Sequence, residues 1–378
     1  MKVSIIIPTY NGLNHLKSLL PSIEEVDFPK RNIEVIIVDN NSVDNTKSYI
    51  KENYKDLCRI IHLRENAGFC KACNIGAKTA EGKWLVFLNN DMKLDKNFLK
   101  GFLEVIDGTD IVCGGAKILS WDGSKIDFVK GSINPLGFGF NDFYGKKYEE
   151  GTFNTSYPLL FPCGGAMIIR KDIFSEVKGF DEKYYMLFED VDLGWRLNLF
   201  GYKVYFCPNA VCYHKGHATL SKKNIMERIF YHERNAFFNI FKNYEEDCFQ
   251  KAIPYFLSYL GMKIHFNILY SNGKYTFKDK VKNYLVKFLY PRFKPFSLIN
   301  ENGYAFTRVY KDILKNMREL QKDRHYIQDK RKISDKELFS KFPFIREPWQ
   351  YTNNYSLFLD YKKQKNIIEE ICREITFV

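Results

Sequence analysis

Val3-Ser4-Ile5-Ile6-Ile7-Pro8-Thr9-Tyr10-Asn11-Gly12 opens the chain with a short apolar, β-rich run that stops at a proline and turns through polar residues. A dinucleotide-binding enzyme would place G-x-G-x-x-G after this first strand, and a P-loop enzyme G-x-x-x-x-G-K-[ST]. The turn Pro8-Thr9-Tyr10-Asn11-Gly12 is neither, so hydride transfer and P-loop phosphoryl transfer lose their support. Working outward, residues 3–7, 34–38, 59–63 and 84–88 read as strands, and residues 13–23, 45–53 and 70–80 carry apolar residues at helical spacing. This alternation predicts βαβ units with right-handed crossovers and a mostly parallel α/β sheet, whose strand C-termini open on one edge. The loops at that edge are polar: Thr9-Tyr10-Asn11, Asp39-Asn40-Asn41-Ser42, Glu65-Asn66-Ala67-Gly68 and Asn89-Asn90-Asp91. Open α/β sheets bind ligands in that crevice.

Further along, a strand is expected at 111–118. A Gly- and aromatic-rich stretch at 121–157 reads as a loop or ribbon covering the site, and an apolar return follows at 159–170. A helix is expected at 188–200, then strands at 203–207 and 210–214. From about residue 221 the text changes to amphipathic helices rich in Lys, Tyr and Phe. The expected organisation is a nucleotide-binding and catalytic domain at 1–220 and a basic, mainly helical region at 221–378.

At 378 residues with 45% apolar and 27% charged content, the chain can bury one large or two ordinary cores, which excludes a collagen, a disulfide scaffold and a disordered tail. Residues 1–220 hold 27 Lys+Arg against 27 Asp+Glu, and residues 221–378 hold 30 against 18, so all of the net +12 lies in the back part. Nine cysteines at irregular spacing match neither a zinc site nor a disulfide framework, and predict reduced thiols in the cytoplasm. Cys70-x-x-Cys73 has no second pair and reads as two small packing residues. The first apolar run is too short for a signal peptide, and no window of about 18 apolar residues suggests a membrane span.

The polar elements form an ordered series: Ile5-Ile6-Ile7-Pro8-Thr9-Tyr10-Asn11, Val38-Asp39-Asn40-Asn41-Ser42, Asn66-x-Gly68-Phe69, Leu88-Asn89-Asn90-Asp91, Gly164-Gly165-Ala166, Gly179-Phe180-Asp181, Glu189-Asp190-x-Asp192-x-x-x-Arg196 and His214-x-x-His217 with Gly216 between. In order and approximate spacing this resembles the family 2 glycosyltransferases, inverting enzymes of the GT-A fold, over roughly residues 1–240. Asn-Asn-Asp in place of Asp-x-Asp, with Phe188-Glu189-Asp190-Val191-Asp192-Leu193 later, is similar to the rhamnosyltransferase-like branch.

The resemblance implies transfer of a sugar from a dTDP- or UDP-sugar to a hydroxyl of a glycan or lipid-linked glycan, in surface polysaccharide assembly. Such a donor needs its leaving diphosphate neutralised, which a divalent cation, Mn2+ or Mg2+, held by few protein groups can do. Asp91 is the candidate ligand, with helix capping as its structural alternative. The family's usual first Asp is Asn89 here, which shifts weight onto Asp91. By analogy His214 is the second ligand, with His217 as competitor, and an imidazole favours Mn2+. An inverting transfer also needs one general base. The family places it in the Glu-Asp pair, here Asp190 with Glu189 as alternate, although acids at a helix N-terminus also serve the dipole.

For the donor, the resemblance implies that Asp39 accepts the N3–H of a pyrimidine, while Pro8, Thr9, Tyr10 and Asn11 line base and ribose beside Asn66, Gly68, Asn89 and Asn90. Lys71 reaches the diphosphate or is merely solvated. Gly164 and Gly165 are expected near the acceptor and diphosphate, with Asp192 and Arg196 as either an i, i+4 helix pair or a diphosphate contact. In the back part, Arg234-Asn235-Ala236-Phe237-Phe238, the run 256–270, and residues 278–294 with Tyr284, Phe288, Tyr290 and Phe293 fit either a peripheral membrane surface or an ordinary core. No recognition motif for nucleic acid accompanies the charge. A sugar-phosphate nucleotidyltransferase and a non-catalytic glycan- or lipid-binding scaffold of the same fold are the alternatives.

Overall fold

In the computed structural model, which describes residues 2–216, 225–269, 301–347 and 358–375, the opening apolar run is β1 (Val3–Thr9), and all seven of its residues are buried. Successive strand residues point to opposite faces, so both faces of the sheet are covered at this strand. β1 pairs in parallel with β2 (Ile33–Asp39) on one side and β4 (Trp84–Leu88) on the other, and β2 with β3 (Cys58–His62). The crossovers are α1 (Leu13–Glu24), α2 (Thr46–Asn53) and α3 (Gly68–Thr79). The register aligns Thr9 with Asp39 and Asp39 with His62, so the strand ends share one rim.

Beyond β4 the strands β5 (Met92–Leu94), β6 (Ile111–Ser120), β10 (Ala166–Arg170) and β11 (Lys203–His214) make the sheet mixed, in the order β3-β2-β1-β4-β10-β6-β11-β5. After β5 (Met92–Leu94) come α4 (Phe98–Ile106) and β6 (Ile111–Ser120). The Gly- and aromatic-rich stretch is a ribbon of short strands, β7 (Ile126–Phe128), β8 (Gly131–Ile133) and β9 (Gly139–Asn141), with β7 paired to β6. β10 (Ala166–Arg170) then runs antiparallel between β4 and β6. After α5 (Lys171–Glu176) and α6 (Glu189–Leu199), the two strands expected at 203–207 and 210–214 are one, β11 (Lys203–His214). It has a bulge between Cys207 and Val211, where Pro208 has no N–H for the ladder.

The chain divides into two compact units. The first is Met1–Ser132, Gly139–Thr219 and Lys330–Pro343; the second is Ile133–Phe138, Leu220–Asp329 and Phe344–Val378. Two segments therefore cross the 220/221 boundary expected from composition. In the first unit, Lys332 and Ile333 N–H groups donate to the Leu199 carbonyl at 2.8 and 3.1 Å, closing the C-terminus of α6. The short helix Asp335–Lys341 (α10) sets Phe339 edge-on against Trp195 at 5.5 Å. This cover explains why α6 is buried on all sides from Val191 to Leu199, where its sequence predicts a single apolar stripe.

In the second unit, α7 (Ile225–Asn243), α8 (Glu246–Leu269), α9 (Glu301–Lys330) and α11 (Phe358–Glu374) supply the helices. The segment 133–138 is held there by Tyr244 Oη donating to the Pro135 carbonyl at 2.9 Å and Asn239 Nδ2 to the Gly137 carbonyl at 2.9 Å. Phe237, Phe238, Phe256 and Tyr259 are buried, so these aromatics form a core. Residues 278–294, including Tyr284, Phe288, Tyr290 and Phe293, and also His217, lie outside the described residues. Among the described residues no helix is long and apolar enough to cross a membrane. Cys70 and Cys73 are fully buried on α3.

Candidate active site

The rim of β1 and β2 is stitched by backbone and side chain together. Asn40 N–H donates to the Thr9 carbonyl at 2.8 Å, Asn11 N–H to Ser42 Oγ at 2.8 Å, and Val43 N–H to Asn11 Oδ1 at 2.8 Å. Pro8 and Thr9 are buried, whereas Tyr10 projects into solvent. Asn40 extends the stitching to the third loop, with Nδ2 to the Gly68 carbonyl at 3.3 Å and Oδ1 from Ala67 N–H at 3.2 Å. Gly68 has φ +82°, and a Cβ there would lie 2.5 Å from the Tyr185 ring, so only glycine fits beneath that ring. Tyr185 donates to Asn66 Oδ1 at 3.3 Å, and its carbonyl accepts Phe69 and Cys70 N–H at 2.8 and 3.2 Å. The N-terminus of α3 is thus already capped, and Lys71 in its first turn is exposed.

Asp39 is fully buried. Its Oδ1 accepts Ser42 N–H at 3.0 Å, and its Oδ2 lies 2.6 Å from His62 Nδ1. On the next strand, Asn90 Nδ2 donates to Thr9 Oγ1 at 2.8 Å, and Asn89 N–H to the Gly165 carbonyl at 2.8 Å.

Gly164 and Gly165 join this strand end to the acids of α6. A Cβ on Gly165 would lie 2.6 Å from Asn89 Nδ2, and Gly164 N–H donates to Asp190 Oδ2 at 2.9 Å. Asp190 is half-buried, with Oδ1 accepting Val191 N–H at 2.8 Å. Burial raises its pKa above the ordinary carboxylate value, against the lowering effect of these two N–H groups. Glu189 is buried, and its Oε2 has no hydrogen-bond partner among the described residues. Burial first, then the charge of Asp190, raises its pKa further from the ordinary value of 4.5. The backbone leading in is strained: Tyr185, Leu187 and Phe188 have φ of 62°, 68° and 64°.

Asp91 follows Asn90 at the rim, and its Oδ2 lies 3.3 Å from His214 Nε2, while His214 Nδ1 lies 3.0 Å from Asp127 Oδ2. Burial disfavours the imidazolium, but the hydrogen bonds and charges of Asp127 and Asp91 outweigh it and push its pKa up to about 10. Burial likewise opposes the charge on Asp91, and His214 overcomes it, leaving the carboxyl below its ordinary range. As it stands the triad is ion-paired, and among the described residues no three such side chains converge on one metal position. A divalent cation between Asp91 and His214 Nε2 would have to displace the proton on that nitrogen, with Asp127 left to hold Nδ1.

Asp192 and Arg196 are not at the crevice. Arg196 Nε and Nη2 meet Asp192 at 2.9 Å, and Nη2 also reaches the Gly179 carbonyl at 2.8 Å. Its Nη1 reaches the Val177 carbonyl at 2.5 Å. Both side chains are buried, so of the two readings the sequence offers the i, i+4 pair is the one present, turned inward as a clasp on the turn after α5 rather than lying on the helix surface. Sequence reading placed Asn40 in a rim loop without giving it a role, and passed over Asp127, His62 and Tyr185. Pairing the expected strand ends in parallel brings His62 beside Asp39, but Asp127 sits in a ribbon with no periodic signal.

Comparison with known proteins bears on the family and the fold. Residues 4–178 match the family model Glycosyl transferase family 2. Over 238 residues the chain is 25% identical to the N-acetylglucosaminyl-diphospho-decaprenol L-rhamnosyltransferase of Mycobacterium tuberculosis, covering 57% of this chain and 76% of that one. It is 29% identical over 214 residues to the O-antigen biosynthesis protein RfbC of Myxococcus xanthus, covering 54% of this chain and only 16% of that protein. In fold it is similar to the crystal structure of GalNAc-T7 with UDP, GalNAc and Mn2+, at a TM-score of 0.54 and 18% identity, covering 68% of this chain and 51% of that one. The strand order and these likenesses converge: residues 4–178, a little under half of the chain, are similar to glycosyl transferase family 2, and the fold is of the GT-A kind.

Proposed function

We propose that the chain is an inverting, cation-dependent glycosyltransferase that moves a sugar from a dTDP- or UDP-sugar to a hydroxyl of a glycan or lipid-linked glycan. The observation that carries this reading is the pairing, through Gly164-Gly165, of a half-buried carboxylate of raised basicity, Asp190, with the strand end that bears Asn89 and Asp91. Asp190 takes the acceptor hydroxyl proton as that oxygen bonds to the anomeric carbon and the bond from that carbon to the diphosphate breaks. The nucleoside diphosphate leaves and the anomeric configuration inverts. Asp91 and His214 would hold Mn2+ or Mg2+, which supplies charge neutralisation to the diphosphate. Thr9, Asn11, Asn89 and Asn90 orient ribose and diphosphate from a stitched rim, and Tyr10, Asn66 and Gly68 border it. Lys71, exposed on α3, is free to approach a bound diphosphate from outside.

The name of the mycobacterial relative supports a diphospholipid-linked acceptor. The charge of residues 221–378, 30 Lys+Arg against 18 Asp+Glu, suits an anionic membrane face where such an acceptor would lie. Incubation of the purified chain with Mn2+, a panel of dTDP- and UDP-sugars and a diphospholipid-linked sugar tests the reading. Acceptor-dependent release of nucleoside diphosphate, with a product of inverted anomeric configuration, is expected. Pyrophosphate release from a nucleoside triphosphate and a sugar phosphate would replace it with nucleotidyl transfer.

A further inference from the structure

We propose that His62 is the side chain that reads the nucleobase and that Asp39 acts behind it, as the group that fixes the imidazole. The inference rests on the nucleotide-sugar reading of the crevice. The Asp39 side chain is 0% exposed, with one oxygen on Ser42 N–H and the other on His62 Nδ1 at 2.6 Å, whereas the His62 side chain is 39% exposed. A base arriving from water therefore finds no open face of the Asp39 carboxylate. It meets the imidazole, which shares the register position of Asp39 on the neighbouring strand at the same rim.

Chemistry then sets the selectivity. A carboxylate only accepts, so Nδ1 carries a proton, and in the tautomer with that single proton Nε2 is left as an acceptor. Uracil and thymine present an N3–H donor to such an atom, whereas cytosine presents a bare N3 and would meet lone pair with lone pair. A site built to accept that hydrogen rejects the base that lacks it. The stitched loop 40–43 behind Asp39 holds the carboxylate and keeps the ring from turning.

The test is calorimetric titration of UDP and CDP into the full chain with Mn2+ at pH 8, for wild type, His62→Ala and His62→Gln, with melting curves confirming that each variant is folded. Wild type is expected to prefer UDP by at least about tenfold. His62→Ala should lose about tenfold for UDP and little for CDP, collapsing the preference, and His62→Gln, whose Oε1 accepts, should regain part of it. Unchanged UDP affinity in folded His62→Ala, or equal losses for both nucleotides, overturns the assignment and leaves the transferase reading standing. Failure of wild type to bind either nucleotide overturns both.

Discussion

His214 is gripped from both sides, Nε2 3.3 Å from Asp91 Oδ2 and Nδ1 3.0 Å from Asp127 Oδ2. The three residues come from different elements: the rim after β4, the end of β11, and β7 of the ribbon. The ribbon thus contributes one acid that fixes which nitrogen of the imidazole faces the candidate cation position. Outer carboxylates of this kind raise the basicity of a ligating histidine and hold its ring plane.

Asp127→Asn should therefore weaken Mn2+ binding by about 10- to 100-fold while leaving the melting temperature of the metal-free chain within a few degrees. Titration of Mn2+ followed by the paramagnetic signal of the free ion measures this directly. Equal Mn2+ affinity in the two proteins would remove Asp127 from the site.

The two neighbouring acids should separate cleanly in kinetics. Asp190→Asn is expected to lower kcat by about 10²- to 10⁴-fold with nucleotide affinity retained, because the proton acceptor is lost and the donor contacts are not. Glu189→Gln, buried and turned inward, should keep kcat within about tenfold. The reverse pattern would move the base to Glu189.

Glu189 also makes stability depend on pH. Its folded pKa is raised by burial and by Asp190, so the folded chain holds this proton more tightly than the unfolded chain. The favourable term is complete below the ordinary value of 4.5 and is lost as pH climbs from there through the raised value. Glu189→Gln should consequently melt above wild type at pH 8 by a few degrees and match it near pH 4, as scanning calorimetry would register. A gap of constant size at both pH values would mean that Glu189 does not titrate in this window.

Phe339 is buried and edge-on to Trp195. Phe339→Ala should cost about 3–5 kcal/mol in urea unfolding, since it opens a cavity against a fully buried indole. A loss below about 1 kcal/mol would show that α10 is dispensable to α6.

The parallel half of the sheet and its polar rim were legible because each strand is a short apolar run and each crossover keeps a helical period. Thr9, Asn66, Asn89 and Asp91 fall at that rim for the same reason, whereas Gly164, Asp190 and His214 come from later elements and were singled out by the family resemblance. The i, i+4 spacing of Asp192 and Arg196 shows rightly that the two side chains meet, and says nothing of which way the pair faces; their burial decides that. Asp127 lay in a stretch of three-residue strands too short to carry a period, and its link to His214 spans 87 positions. The roles at Asp39 and His62 hinge on which of two touching side chains is reached by water, a property of packed surfaces that no residue pattern encodes.

The return of residues 330–343 to close α6 orders events in time. A nascent chain delivers the Glu-Asp pair at 189–190 some 140 residues before the segment that seals the helix beneath it. The first unit must then wait, open along Trp195, until residues 330–343 have been made. Secreting or expressing the front 219 residues alone would leave that wait permanent, with an apolar helix face turned to water and to every neighbouring copy.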